Sequence, residues 1–469
     1  LLLFVVNISH VFLETTLIVK LRELSMKSVA VAVEDPSPSG IAGTIARLIA
    51  SGDLAPGDRL PTVRELAAEL GVSPATVSHA WQALAGVGLI ISRGRSGSFV
   101  RAERTTWLPP RSRSLTELPD ARLDLSTGTP DPLLLPDLGP ALSRVSSRAG
   151  TQNYFDEPVI PELETLLLST WPFDPGVLTI VDGAMDAISR TLDLVLKFGD
   201  RVAVENPGFP PVFDLLDHYG TERIPVELDA EGMRPDSLEE ALHRSPAAIV
   251  LQPRTQNPSG VSMTVERARE LARIVRVSRS AEHMLIIEDD HSGEISSSGD
   301  VSLGQFLPDR VVHIRSFSKS HGPDLRIAAV GGPKDFMDRF VARRILGPGW
   351  TSRMLQTILF DLLTESDTVD QVALARRTYR ERQVAIASAL RDKGWEVATA
   401  DGINLWLGVD DERDAVVQLA AAGIRVAAGT PFLSAPGGQF IRVTVGQIRE
   451  DFASVGAQLA AAGTASKTP

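Results

Sequence analysis

The chain has no cysteine. That absence excludes disulfide scaffolds, thiolate zinc sites, CxxC redox centres and cysteine nucleophiles, and it makes the cytoplasm the expected compartment. Lysine is nearly as scarce. Lys20, Lys27, Lys197, Lys319, Lys334, Lys393 and Lys467 are all there are, and arginine supplies the rest of the 47 basic residues. Chemistry that needs an amine has few candidates. Long apolar runs are missing too: the opening LLLFVV is interrupted by Asn7, His10, Glu14 and Lys20 before a membrane-spanning length is reached. It has neither the basic n-region nor the small-residue cleavage site of a signal peptide. Residues 1–35 are read as an N-terminal extension, and residues 1–25 as a start-site artefact ahead of Met26-Lys27-Ser28. Neither a membrane partner nor a metal is expected.

What is present is ordinary for globular protein: 469 residues, 43% hydrophobic and 23% charged, enough for two to four domains. The net charge of −12 argues against a uniformly basic nucleic-acid coat. Its distribution says more. Residues 36–122 carry 10 basic and 7 acidic side chains, whereas residues 123–469 carry a balance of −14. Any affinity for DNA should sit in the small, mildly basic first part.

Residues 40–100 read as three helices and a hairpin. Ile41, Ile45, Leu48 and Ile49 recur at helical spacing and stop at Ser51-Gly52. Thr62 caps a second helix, with Glu65 in the capping-box position and Gly71 at its end. Ser73 caps a third, with Pro74 at its first position and an apolar stripe of Val77, Trp81 and Leu84. Leu89-Ile90-Ile91 and Ser98-Phe99-Val100 are short strands joined by the Gly-rich turn SRGRSG. Helix-turn-helix plus a basic hairpin makes a winged helix-turn-helix. Ser73, Thr76, Ser78 and His79 lie at the start of the third helix, and Arg64, Arg93 and Arg95 can neutralise phosphates. Apolar spacing alone would equally fit a plain three-helix core; the basic wing and the polar recognition face favour DNA.

The run PGDRLPTVRELAAELGVSPATVSHAWQALAGVGLIISRGRSGSFV resembles the GntR family of bacterial regulators over about 60 residues. The resemblance implies DNA contacts at Arg64, Ser73, Thr76 and Ser78, and a wing shaped by Gly97. Pro74 stands where many members place an arginine that reads a guanine, so no operator sequence follows.

Residues 102–122 form a linker, broken by Pro109, Pro110 and Pro119 and made basic by Arg104, Arg111 and Arg113. From 123 to 462, strand-like runs at 177–181, 201–205, 247–252, 284–289 and 311–317 alternate with helical patterns. An α/β sheet with many crossovers is expected, then a smaller α/β unit from about residue 350 and a tail at 463–469.

Three features of this region carry chemistry. Asp182-Gly183-Ala184 opens a helix after a strand, a weak anion site. IIEDDH (286–291) ends a buried strand in carboxylates, which can be structural caps or can hold a buried cation such as a pyridinium. SFSKSHGPDLR (316–326) sets Lys319 among Ser316, Ser318 and Arg326. A lysine amine forms Schiff bases with carbonyls, while hydroxyls and an arginine suit a phosphate dianion. Together they describe pyridoxal 5′-phosphate (PLP).

Residues 123–460 resemble the fold-type-I aminotransferases: an α/β/α PLP-dependent transferase domain with a smaller C-terminal α/β subdomain. The resemblance implies that Lys319 carries the cofactor and that Asp289 partners its ring nitrogen. Asn257, in QPRTQNPSG, and His291 would bond the ring 3-oxygen, and Phe209, in NPGFP, would stack on the ring. Gly183, Ala184, Ser316, Ser318 and Arg326 would form the phosphate cup. Arg442, in FIRVTVG, would take an effector carboxylate, and Tyr154 would reach the phosphate of a partner subunit. The chain departs from the family at His291 (usually tyrosine), at Asp182 (often serine or threonine) and at Val159, where a glycine is typical.

A winged helix-turn-helix at 36–101 joined to such a domain resembles the MocR/GabR-type regulators. The implied function is a homodimeric transcription factor that binds a double-stranded operator and senses an amino compound, or PLP itself. The alternative is a working aminotransferase that carries a DNA-binding domain.

Overall fold

The computed structural model describes residues 29–86, 89–101, 109, 111, 121–148, 153–281 and 284–463. The expected N-terminal extension up to residue 28, the linker prolines Pro110 and Pro119 with Arg104 and Arg113, and residues 464–469 lie outside the described residues. Contacts divide the chain into two compact units, one built mainly on residues up to Trp107 and the other on Leu108 onward.

In the first unit the helices start and stop where their capping residues dictate. The Ser37 hydroxyl accepts from Gly40 N at the head of helix Pro38–Ser51, which ends at Gly52. Helix Val63–Leu70 opens with a complete capping box: Thr62 Oγ1 accepts from Glu65 N (3.2 Å) and Glu65 Oε2 from Thr62 N (2.9 Å). Ser73 Oγ accepts from Thr76 N ahead of helix Pro74–Gly86. One apolar core joins the three helices: Ile41, Ile45, Leu66, Val77, Trp81 and Leu84 are all buried. Strands β1 (Ile90–Ser92) and β2 (Ser98–Val100) pair antiparallel and form the wing. Gly97 turns the wing at φ 102°, and a Cβ there would meet Arg59 Nε at 3.0 Å, so the turn needs glycine.

The second unit adds twelve strands among the described residues. They are β3 (Leu123–Leu125), β4 (Val177–Val181), β5 (Arg201–Asn206), β6 (Glu222–Asp229), β7 (Gly232–Met233), β8 (Ala248–Leu251), β9 (Leu285–Asp290), β10 (Val311–Ser316), β11 (Ala328–Gly332), β12 (Leu405–Gly408), β13 (Ile424–Ala428) and β14 (Phe440–Val443). The large sheet runs β4-β11-β10-β9-β8-β5-β6-β7. Its centre, β5, β8, β9 and β10, is parallel, so the expected crossovers are present, and these strands end together at one edge. Strand β11 runs antiparallel between β10 and β4.

The smaller subdomain differs from the expectation that it starts near residue 350. Its four-stranded sheet, β12-β14-β13-β3, takes β3 from the very start of the unit, pairing Leu123 with Ile424 in parallel. Burial explains the long-range pairing: Leu125 is wholly buried beside Ile424, Val426 and Ile441, and β3 covers an otherwise unpaired edge of β13.

The capping box gives a direct test of how the first unit is held. Thr62→Ala removes one of its two reciprocal bonds and should lower stability by about 1 kcal/mol in urea denaturation; no measurable change would mean that packing alone fixes this helix.

Candidate functional site

The parallel strands deliver their C-terminal residues to one cavity of about 320 Å³. Strand β9 ends in two adjacent carboxylates whose side chains take opposite directions. Asp290 is ion-paired with Arg254 at 2.5 Å. Asp289 faces the cavity instead, accepts one bond from Gln252 Nε2 (2.8 Å), and keeps Oδ1 buried with no partner among the described residues. Burial pushes Asp289 up to about 6; the Gln252 bond opposes the shift and the neighbouring Asp290 charge adds to it.

Lys319 enters three residues beyond β10, and its Nζ donates to the Gly128 carbonyl. Burial and the nearby Arg442 push the amine down to about 8, against the pull of Asp289. Arg442, on β14, is buried. Its Nη1 donates to Asn257 Oδ1 (3.3 Å), its Nη2 to the Ser126 carbonyl, and its Nε has no partner among the described residues. Burial lowers it to about 10. Asn257 Oδ1 also receives Asn404 Nδ2 (3.4 Å), which leaves the Asn257 amide nitrogen as the donor.

At the other side lies a cradle suited to an anion. Gly183 caps helix Ala184–Val195 at φ 98°, and a Cβ there would meet Arg326 Nη2 at 2.7 Å. Arg326, itself at φ 47°, donates to the Asp182 carbonyl (3.3 Å). Ser316 and Ser318 lie within 3.3 Å of each other and line the same cavity with Ala184. The Asp182 carboxylate turns away: Thr351 Oγ1 (2.7 Å) and the buried Arg344 Nη2 (3.1 Å) hold it, which neutralises a charge that would repel an anion.

Two residues sit differently from the family pattern. His291 lines the cavity, but its Nε2 lies 2.9 Å from the Thr255 carbonyl. A carbonyl only accepts, so Nε2 carries the proton. Burial pushes the imidazole down to about 4, and Nδ1 is left as an acceptor. In this tautomer His291 has no N–H for a ring oxygen. Tyr154 is 82% exposed and outside the lining, in edge contact with Trp350 at 6.1 Å. Its expected role belongs to a second chain.

Phe209 lines the cavity as expected, together with Phe432, which the sequence did not single out. Gln252, Arg344 and Thr351 were likewise not foreseen. Gln252 carried a faint signal, as a polar residue closing the apolar run AAIVLQ.

In the first unit Arg64, Ser73 and His79 are exposed, and Thr76 and Ser78 are half-buried. Arg93 is exposed, with its guanidinium 5.3 Å over the Phe99 ring. The side chain of Arg95 lies outside the described residues.

Comparison with known proteins agrees with this division. Residues 39–100 match the family of bacterial regulatory proteins of the gntR type, and residues 121–452 match the aminotransferases of class I and II. The chain is 35% identical over 424 residues to the vitamin B6 salvage pathway transcriptional repressor PtsJ of Salmonella typhimurium, covering 89% of this chain and 96% of that protein. It is 31% identical to the HTH-type transcriptional regulator TauR of Rhodobacter capsulatus, over 82% of this chain and 87% of that one. Among solved structures, the α-aminoadipate aminotransferase LysN of Thermus thermophilus, complexed with N-(5′-phosphopyridoxyl)-L-leucine, superposes with a TM-score of 0.66. It covers 75% of this chain and 94% of its own at 23% identity, a likeness of fold.

Behind Asp289, Glu205 on β5 accepts from Gln252 N and Gln256 Nε2 in a fully buried setting. Burial raises it from an ordinary 4.5 to about 8. The folded chain thus keeps a proton that the unfolded chain releases, and this contribution to stability is lost as pH rises through that window. Glu205→Gln isolates it. Wild-type stability relative to the variant should fall between about pH 5 and pH 8, by up to ~1.4 kcal/mol per pH unit. A flat difference across the series would refute it.

Proposed function

The chain belongs to the MocR-type transcriptional regulators, which join a GntR-family helix-turn-helix domain to an aminotransferase class I and II domain, and from that membership we propose that it is a DNA-binding homodimer whose Lys319 cavity holds PLP and reads an amino-group effector, or PLP itself. The observation that carries this reading is the set of unmatched groups converging on one cavity. They are the Lys319 amine, which burial lowers to about 8, the bare Oδ1 of Asp289, and two guanidiniums, the exposed Arg326 and the buried Arg442, that no carboxylate approaches within 4 Å among the described residues. Each lacks what PLP and an amino acid would bring.

The groups fit the cofactor. Asp289 Oδ1 would accept from its ring nitrogen, and Phe209 would cover the ring. The Asn257 amide would donate to its 3-oxygen. The phosphate would take the cradle of Ala184 N, Ser316, Ser318 and Arg326, with Asp182 already neutralised by Arg344. Bound there, PLP supplies an aldehyde for which Lys319 and an effector amine compete. Arg442 then selects effectors with a carboxylate, because a buried guanidinium without an anion is the strongest carboxylate site in the cavity. Lys319 Nζ has a resting place at the Gly128 carbonyl. Tyr154 would complete the cradle of a second subunit. Occupancy alters transcription only if the DNA-competent and incompetent arrangements differ in effector affinity.

Arg64, Ser73, Thr76, Ser78 and His79 would meet the operator from the third helix and its approach, with Arg93, Arg95 and Gly97 of the wing along the backbone.

Two measurements test the two halves. Protein loaded with PLP and desalted should retain a visible absorption band and a borohydride-fixable adduct. Lys319→Ala should lose both while melting cooperatively; an adduct that survives the substitution would sink the assignment. Arg64→Ala should weaken operator binding and make the slope of log Kobs against log salt shallower by about 0.9, as loss of one phosphate contact requires. An unchanged affinity and slope would place Arg64 off the DNA.

A further inference from the structure

A second cavity of about 200 Å³ opens in the same unit, and no residue lines both. One stretch of chain separates them. Ser316, Ser318 and Lys319 line the first cavity, whereas Arg315, Phe317 and His321 line the second. The strict alternation from 315 to 318 is the two-residue period of extended chain continued past the end of β10.

The second cavity is walled by hydrocarbon from Leu167, Phe317, Leu362 and Val372, and its most deeply buried charged group is Arg315. Arg315 is 3% exposed. Its Nη1 donates to Thr170 Oγ1 (2.8 Å), its Nη2 to the Thr170 carbonyl (2.6 Å), and its Nε is buried without a partner among the described residues. The guanidinium lies 4.8 Å over the Trp171 ring. No carboxylate approaches it within 4 Å among the described residues. The acids nearest in field are Asp290, Asp300 and Glu294, and the first two are both paired with Arg254 at 2.5 Å. Burial accordingly depresses Arg315.

A guanidinium has thus been taken out of water, given only neutral acceptors, and set in the wall of an apolar cavity. Removing a charge from water without a counter-charge is costly, and the missing element is an anion. Glu294 is the one acid in the lining; half-buried Arg376 adds a second positive charge there.

We propose that this cavity binds a small carboxylate with an apolar body, its carboxylate on Arg315 and its hydrocarbon against Leu167, Phe317, Leu362 and Val372. The site stands back to back with the Lys319 cavity and shares its wall, but it does not depend on the function proposed for that cavity. Carboxylates with and without an α-amino group satisfy the same chemistry; an amino group would meet Glu294.

The test is isothermal titration with 4-methylvalerate of the full chain carrying Arg442→Gln, which removes the carboxylate site proposed in the first cavity. Saturable binding of one molecule per chain is expected. Arg315→Gln, and Leu363→Trp at a further leucine of this cavity's lining, should each weaken it at least tenfold; the second fills the cavity and leaves the buried arginine intact, which guards against misfolding of the first. No saturation below about 10 mM, or binding kept in both Arg315→Gln and Leu363→Trp, would overturn the proposal. Leucine, titrated into the same Arg442→Gln chain, separates the two sources. Tighter binding than 4-methylvalerate, abolished by Glu294→Gln, assigns the site to apolar amino acids; equal binding assigns it to simple carboxylates.

Discussion

A carboxylate removed from water at the end of a central strand, with one oxygen satisfied and the other bare, is the constraint around which the larger unit is organised. Among the described residues Asp289 has only the neutral Gln252 amide as a hydrogen-bond donor; that bond and the charge of Lys319 offset its desolvation in part, and its pKa rises to about 6. One residue along, Asp290 receives a full ion pair from Arg254 and its pKa is lowered. The difference is one of direction. Successive side chains of a strand point to opposite faces, so one carboxylate is built into the scaffold and the other is left facing the cavity.

The same logic recurs with the sign reversed. Among the described residues Arg442 donates only to carbonyl and amide oxygens, although the chain places arginines against acids elsewhere, as in Arg344 with Asp182 and Arg382 with Asp131. Buried charges are normally paired. Those left without a counter-charge therefore mark where a ligand belongs, and those that are paired mark the frame. Asp182 shows why the frame matters. Left free, its carboxylate would oppose any anion at the head of helix Ala184–Val195; bridged by Arg344 and Thr351, it anchors the turn on which Arg326 rests.

Local signals made much of this legible in the sequence. Caps, glycines and the helical period fixed the first unit because each acts over three or four residues. Lys319 stood out through the scarcity of lysine, and the strand ending in IIEDDH marked a carboxylate pair, although nothing local says which member faces the cavity. What could not be read depends on distant partners. Arg344 and Thr351 lie more than 160 residues from Asp182, and β3 pairs with a strand some 300 residues further on. The His291 tautomer likewise follows from the Thr255 carbonyl, which only the folded chain brings near.

The charges in the Lys319 cavity also act on one another, and this links what binds to how the lysine behaves. Arg442 is one cause of the low basicity of Lys319, next to burial. A carboxylate placed on Arg442 would cancel that positive field, and the Lys319 amine would regain affinity for its proton. A carboxylate-bearing effector would therefore do two things at once: occupy Arg442 and favour the ammonium form of Lys319, which is no longer a nucleophile and has the Gly128 carbonyl as acceptor. An amine without a carboxylate would leave Arg442 bare and Lys319 competitive. On the function proposed above, selectivity for amino acids over simple amines would follow from electrostatics within the cavity, before any difference in shape is considered.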